Sequence, residues 1–272
     1  LQRDFVRRFD AEYLEHTRSG MWADSRVALE PLELGHADSV LDVGCGTGEF
    51  SRVLAEETGG QVVGCDADPA LLAVAREHVP VVAGDATRLP FRDDAVDVVT
   101  CQALLVNLPD PAVAVQEFAR VAGDRVAVVE PDNAAVTVES TVEREAGLAR
   151  AARAAYIAGS DVDPALGSDA AGLLEAAGLV DVETHRYEHV RTLAPPYDEA
   201  DLQAVAKKAS GAGLASDEAS LRATLSAAEY DDLRESWREM GREAAAQAAD
   251  GDYRRTERVP FYVTTGRVGS GR

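Results

Sequence analysis

The sequence predicts an α/β fold, a mostly parallel sheet with crossover helices and further helical segments outside the sheet. Three observations carry this. Short β-branched runs alternate with helical patterns as far as Glu130. The stretch from Asp38 to Ser51, D-S-V-L-D-V-G-C-G-T-G-E-F-S, joins one such run to three glycines and then to a helical pattern. At 272 residues, 46% of them hydrophobic, the chain is long enough to bury one large core of this class.

Taken in order, the chain begins with Phe5, Val6, Phe9, Tyr13 and Leu14, an apolar stripe at helical spacing. Strands are expected over 39–43, 61–66, 80–83, 96–101 and 125–130, each a β-branched run bounded by turn residues. Helices over 49–57, 69–77 and 111–121 fill the gaps, two of them opening with the prolines 69 and 111 that suit a first helical turn. Beyond Glu130 the spacing predicts a long Ala, Glu and Arg-rich helix over 137–158 and another over 169–177, closed by Gly178. Alternation over 180–190 predicts a sixth strand, and 197–249 reads as helical, with breaks at 211–213 and near Ser226. F-Y-V-T-T at 261–265 reads as the seventh and last strand. The chain thus leaves its sheet after the sixth strand for a helical insertion and returns to it.

The net charge is −21, yet the only lysines are Lys207 and Lys208, so nearly all 27 basic residues are arginines. Such composition resembles that of proteins from salt-accumulating archaea, where molar salt cuts the screening length to roughly 3 Å and makes self-repulsion tolerable. No stretch clusters Lys and Arg in the way that neutralises phosphates, so neither a nucleic acid nor a membrane is expected as partner. Cys45, Cys65 and Cys101 are odd in number and lack C-x-x-C spacing, which predicts free thiols in a reducing compartment. No signal peptide or membrane-length apolar run is evident, and a soluble cytoplasmic protein is expected.

A strand, a glycine turn and a helix N-terminus together let a ligand press on main chain and meet unpaired N–H groups. A dinucleotide turn needs G-x-G-x-x-G, but Glu49 stands at the third position. As written, Asp42-Val43-Gly44-Cys45-Gly46-Thr47-Gly48 resembles the first motif of class I S-adenosylmethionine-dependent methyltransferases. Later motifs follow in family order: Asp66 closing V-V-G-C-D-A-D-P, Gly84-Asp85-Ala86 before Leu89-Pro90-Phe91, and 97–111 ending in L-P-D-P. More loosely, Glu130-Pro131-Asp132-Asn133, 163–167 and 173–179 resemble stretches of small-molecule methyltransferases of the same superfamily.

The resemblance implies a Rossmann-like seven-stranded sheet with helices on both faces and its last strand antiparallel. It implies S-adenosylmethionine as cofactor, over the C-terminal ends of the strands. Asp42, Gly44, Cys45, Gly46 and Gly48 would meet its methionine part, Asp66 and Ala67 the ribose, Asp85 and Ala86 the adenine, with Cys101 and Gln102 at the fourth strand end. A carboxylate such as Asp66 has two oxygens for a pair of ribose hydroxyls, while Asp68, before Pro69, suits the helix N-cap better. The implied division is a helical lid over 1–36, a cofactor-binding core over 37–133, the rest of the core over 134–194, a helical substrate cap over 195–258 and the last strand and tail over 259–272.

Methyl transfer from a sulfonium is an in-line displacement with a neutral leaving group, so orientation does most of the work, worth roughly 7–11 kcal/mol. A general base is optional, and the sequence assigns no catalytic residue. Candidates for acceptor contact are Tyr13, Trp22, Asn107, Glu130 and Tyr156, each with a packing alternative: Tyr13 in its stripe, Trp22 in the core, Glu130 as the anchor of a turn. Asn107 stands where many relatives carry histidine, and it cannot act as a base near neutral pH. Glu183, His185 and His189 share one strand pattern, read as a solvated face, and no metal is expected. The leading function is methylation of a small-molecule acceptor. Methylation of RNA or protein, and binding of the cofactor without chemistry, remain alternatives; no oligomeric state follows.

Overall fold

The structure, a computed structural model, describes residues 21–22 and 25–269. The apolar stripe from Phe5 to Leu14, and with it Tyr13, lies outside the described residues. In chain order the elements are β1 (Ser39–Val43), α1 (Glu49–Glu57), β2 (Gln61–Asp66), α2 (Pro69–Ala75), β3 (Val81–Ala83), β4 (Val96–Gln102), α3 (Pro111–Val121) and β5 (Ala122–Pro131). Then follow β6 (Thr137–Ser140), α4 (Glu145–Ala158), α5 (Ala170–Ala176), β7 (Leu179–Leu193), α6 (Glu199–Ser210), α7 (Ala212–Ser216), α8 (Glu218–Thr224), α9 (Ala227–Ala249) and β8 (Arg255–Val268).

The chain forms two compact units. One comprises the described residues up to Pro131, Leu166–Tyr187 and those from Phe261 on, and the other Asp132–Ala165 and Glu188–Pro260. In the first, β3, β2, β1, β4 and β5 lie side by side in that order, all parallel, and the later part of β8 runs antiparallel to β5, with Val129 opposite Val263; β7 also pairs with β8. This is the mostly parallel, Rossmann-like sheet with an antiparallel last strand. Because both faces are covered, its central strands are near-continuous apolar runs. Val40, Leu41 and Val43 of β1 and Val126 to Val129 of β5 are all buried. Phe118 and Val115 of α3, Ala170 and Leu174 of α5 and the strand residues Leu41, Val99 and Val128 share one core.

The second unit departs from the sequence reading in two places. The helix expected over 137–158 begins only at Glu145, because Thr137–Ser140 is a strand, antiparallel to β8, with Val138 opposite Glu257. The last strand likewise starts at Arg255, six residues before the expected 261. Each segment is a strand because it pairs with the other, a long-range cause that neither local pattern carries. The structure therefore has eight strands among its described residues where seven were expected. Helices α6 to α9 follow, with α9 opened by Ser226 and Glu229 in a reciprocal capping box and α6 by Asp198 and Asp201 in another. Gly211, at φ 77°, ends α6 as expected. Met240, Ala244, Val205 and Tyr253 make one apolar cluster of this unit, and Leu214, Leu221, Tyr230 and Ala152 a second.

Candidate active site

Strand order places the site. The chain runs from β1 outward through β2 to β3, then crosses back to lay β4 on the other side of β1, so the strand order reverses between β1 and β4. Ligands of open α/β sheets bind outside the C-terminal strand ends at such a point. Val43 is level with Cys101, so the glycine turn and Gln102 leave the sheet side by side.

In the turn, Gly44, Gly46 and Gly48 have φ of 69°, 56° and 88°, left-handed conformations that a Cβ penalises. The turn is tied to the neighbouring strand: Gly44 N–H and Cys45 N–H both donate to the Cys65 carbonyl, at 2.7 and 3.1 Å. Gly46 N–H donates to Asp66 Oδ2 at 2.8 Å, and Asp66 Oδ1 accepts from Asp68 N–H at 2.9 Å. Asp68 in turn caps α2 by accepting from Ala70 N–H, the N-cap expected from the sequence. Gly48 is the N-cap of α1 and brings no side-chain acceptor to the first-turn N–H groups of that helix.

Asp42 faces inward. It is 1% exposed and accepts from Ser51 Oγ at 2.5 Å, fastening α1 to β1 beneath the turn. Ala67 is exposed beyond the end of β2. Asp85 is exposed after β3 and shapes its own turn, accepting from Thr87 N–H and Thr87 Oγ1 at 2.8 and 2.7 Å, with Ala86 half-buried beside it. Gln102 Oε1 accepts from Trp22 Nε1–H at 3.0 Å, and its amide donates to Met21 Sδ at 3.2 Å.

Trp22 is 5% exposed and stacks on Phe50 and Tyr187, with ring centroids at 5.8 and 4.9 Å. Tyr187 escaped the sequence reading; it lies in the expected strand, where only its alternation with polar neighbours marked it. Its hydroxyl donates to the Met21 carbonyl.

Glu130 is fully buried and tethers main chain. Its Oε1 accepts from Leu104 N–H and Leu105 N–H at 3.1 and 2.9 Å, and its Oε2 from Val106 N–H at 3.2 Å. Burial pushes its carboxyl up to about 7, against the pull of these donors. Asn107 ends the same short turn, its amide donating to the Ala103 carbonyl at 2.9 Å. Tyr156 belongs to the second unit, packed with Leu214, Leu221 and Tyr230.

The three cysteines are free and buried. Burial pushes their thiols upward, Cys65 to about 12, so none is a thiolate nucleophile near neutral pH. His189, expected on a solvated face, is 5% exposed, whereas His185 is exposed. Among the described residues no group of three or more His, Cys, Asp or Glu is placed to hold a metal ion. Nor, among them, is any helix long and apolar enough to cross a membrane.

This frame fits S-adenosylmethionine. The bare main chain of the turn and the uncapped first turn of α1 suit an amino-acid carboxylate, and the acid at the end of β2 suits a diol.

Comparison with known proteins gives the same frame. Residues 41–127 match the model of a methyltransferase domain. Among curated relatives, the demethylmenaquinone methyltransferase of Mycolicibacterium gilvum is 41% identical over 123 residues, 44% of this chain and 54% of that protein. That of Shouchella clausii is 34% identical over 122 residues, 40% of this chain and 52% of that protein. The chain thus spans about half the length of the curated relatives it matches. Among solved structures, a candidate methyltransferase of Bacillus halodurans C-125 shares the fold with a TM-score of 0.53 at 19% identity, over 90% of this chain and 99% of that one. The YcgJ protein of Bacillus subtilis does so with a TM-score of 0.52 at 16% identity, over the same shares. Sheet order, glycine turn, acidic strand end and the family match together give residues 41–127 the frame of a methyltransferase domain.

Proposed function

We propose that the chain is an S-adenosylmethionine-dependent methyltransferase acting on a small-molecule acceptor. The observation that carries this is the tie between Asp66 and Gly46, which sets an acidic strand end against a bare glycine turn at the reversal of strand order. Gly44 to Gly48 and the first turn of α1 would hold the amino-acid end of the cofactor, Asp66 the ribose, and Asp85 with the Ala86 main chain the adenine. When bound, the cofactor supplies a methyl on a sulfonium whose departure as a neutral thioether needs no acid. What the chain contributes is then orientation.

The buried thiols and the fully tethered Glu130 leave no ionised nucleophile or evident base among the residues singled out. An acceptor that is ionised already, or whose proton leaves to solvent, matches that inventory. A small acceptor is favoured over RNA because the net charge is −21 and no basic cluster is present in the sequence. The relatives named as demethylmenaquinone methyltransferases align with 44% and 47% of this chain, and their quinone is one member of the acceptor class to test.

The experiment is transfer of radiolabelled methyl from S-adenosylmethionine, in molar KCl, into a fractionated cell extract and into a demethylated quinone. Label in the small-molecule or lipid fraction is the expected result. Label confined to RNA or protein would replace the acceptor class, and binding of cofactor with no label in any fraction would favour a module that binds without chemistry.

A further inference from the structure

Glu130 is among the candidates for acceptor contact, yet none of its side chain reaches the surface. Its oxygens instead gather three consecutive main-chain N–H groups, those of Leu104, Leu105 and Val106, and the Cys101 thiol, at 3.5 Å from Oε1. These N–H groups open the 3₁₀ turn Leu105–Asn107, whose own N-cap, Leu104, offers no side-chain bond. The start of such a turn lacks intrahelical acceptors and favours a negative charge. Glu130 supplies both from a different strand.

The segment held in this way abuts the glycine turn. A Cβ on Gly44 would stand 2.7 Å from Leu104 Cδ1, so the bare Gly44 and the Leu104 side chain fit each other with no room to spare. The turn begins at Ala103, whose φ of 50° is a left-handed conformation that a non-glycine residue holds only when its surroundings impose it. They do: Ala103 N–H donates to the Val129 carbonyl at 2.8 Å, its carbonyl accepts from Asn107, and Glu130 fixes the next three residues.

We propose that Glu130 is a positioning residue for the cofactor site, acting through the main chain of 104–106 to set Leu104 against the glycine turn. This rests on the cofactor reading above. An ionised Glu130 accepts from all three N–H groups; a protonated one turns one oxygen into a donor that must compete with them. Cofactor affinity therefore rises with pH through the range in which Glu130 ionises, about 7. The titratable groups facing it are the Cys101 thiol on β4, which stays protonated, Asp42 on β1 behind that thiol, and Tyr262, its register partner on β8.

The test is titration of S-adenosylhomocysteine into the full chain from pH 6 to 8 at constant salt, with Glu130→Gln beside the wild type. Glu130→Gln sets an amide N–H₂ against a main-chain donor, and the expected loss of affinity at pH 8 is about tenfold. Wild-type affinity is expected to fall toward pH 6 while that of Glu130→Gln stays flatter; comparing the two removes the ligand's own titration. Amide exchange at Leu104, Leu105 and Val106 in the wild type alone, faster at pH 6 than at pH 8 after correction for intrinsic rates, supports the proposal even if the variant does not fold. Equal affinity and equal pH profiles in a folded Glu130→Gln, or wild-type exchange at these amides that does not change with pH, would overturn it. A wild-type chain that binds no cofactor at any pH would overturn the cofactor reading and this inference with it.

Discussion

The Asp66 carboxylate and the Gly46 main-chain N–H are joined at 2.8 Å, so the residue proposed for the cofactor ribose also holds the turn proposed for its methionine part. One substitution therefore touches both ends of the site. Asp66→Ala is expected to weaken cofactor binding by at least tenfold, since a hydrogen bond to a charged group is worth about 1.5–3 kcal/mol. The melting temperature should fall as well, because Asp66 also accepts from the Gly46 and Asp68 N–H groups within the fold. Calorimetric titration of both proteins checks this; unchanged affinity would move the ribose contact elsewhere.

Gly46 sits at φ 56°. Gly46→Ala should lose about 1–2 kcal/mol of stability, the cost of a left-handed L-residue. Gly46→Val should lose more and bind no cofactor, because a branched side chain is added where main chain is to meet the ligand. Denaturant melts of the two variants, read beside their cofactor titrations, separate strain from occlusion.

The pH dependence of folding provides a third check, with its sign set by burial. The Glu130 carboxyl is raised from 4.5 to about 7, so between those values the folded chain binds more protons than the unfolded one. Stability from this group is whole below pH 4.5 and is lost as pH rises through 7, by about 3 kcal/mol. Glu130→Gln should flatten that part of the profile. Urea melts at pH 5, 6, 7 and 8 measure it; a wild-type profile that coincides with that of a folded Glu130→Gln would contradict the burial argument.

In the second unit, Glu145 is 1% exposed and accepts from Lys208 Nζ at 2.6 Å, Arg255 Nε at 3.0 Å and the Tyr253 hydroxyl at 2.8 Å. Glu145→Gln leaves two partly buried cations without that counter-charge and should cost about 3–5 kcal/mol. Lys208→Arg should also destabilise, because a planar guanidinium does not reproduce the ammonium's bonds to both Glu145 and Tyr253. Thermal melts of the two variants check both statements.

At −21, self-repulsion opposes folding, and screening should relieve it. The melting temperature is expected to climb steadily from dilute buffer to molar KCl. A flat or falling curve would remove the basis for likening this composition to that of halophilic proteins.

Much of the first unit was legible in the sequence, because local chemistry determines it. The β1 run, the glycines after it and the prolines opening α2 and α3 each prescribe a backbone conformation by themselves, and these elements begin where expected. What local pattern missed was determined by distant partners. Thr137–Ser140 is a strand only because Arg255 to Arg258 lies beside it. Glu130 stands next to a proline and an aspartate that suggest a site, but its role depends on amides 24 to 26 residues away. Trp22 and Tyr187 meet across most of the chain, and nothing near either in sequence announces the stack.

Calorimetric titration of S-adenosylmethionine into the wild-type chain and Gly46→Val, both shown to be folded, in molar KCl decides whether the glycine turn holds the cofactor. One-to-one binding to the wild type and none to the variant is expected. No binding to the wild type, or equal binding to both, would contradict it.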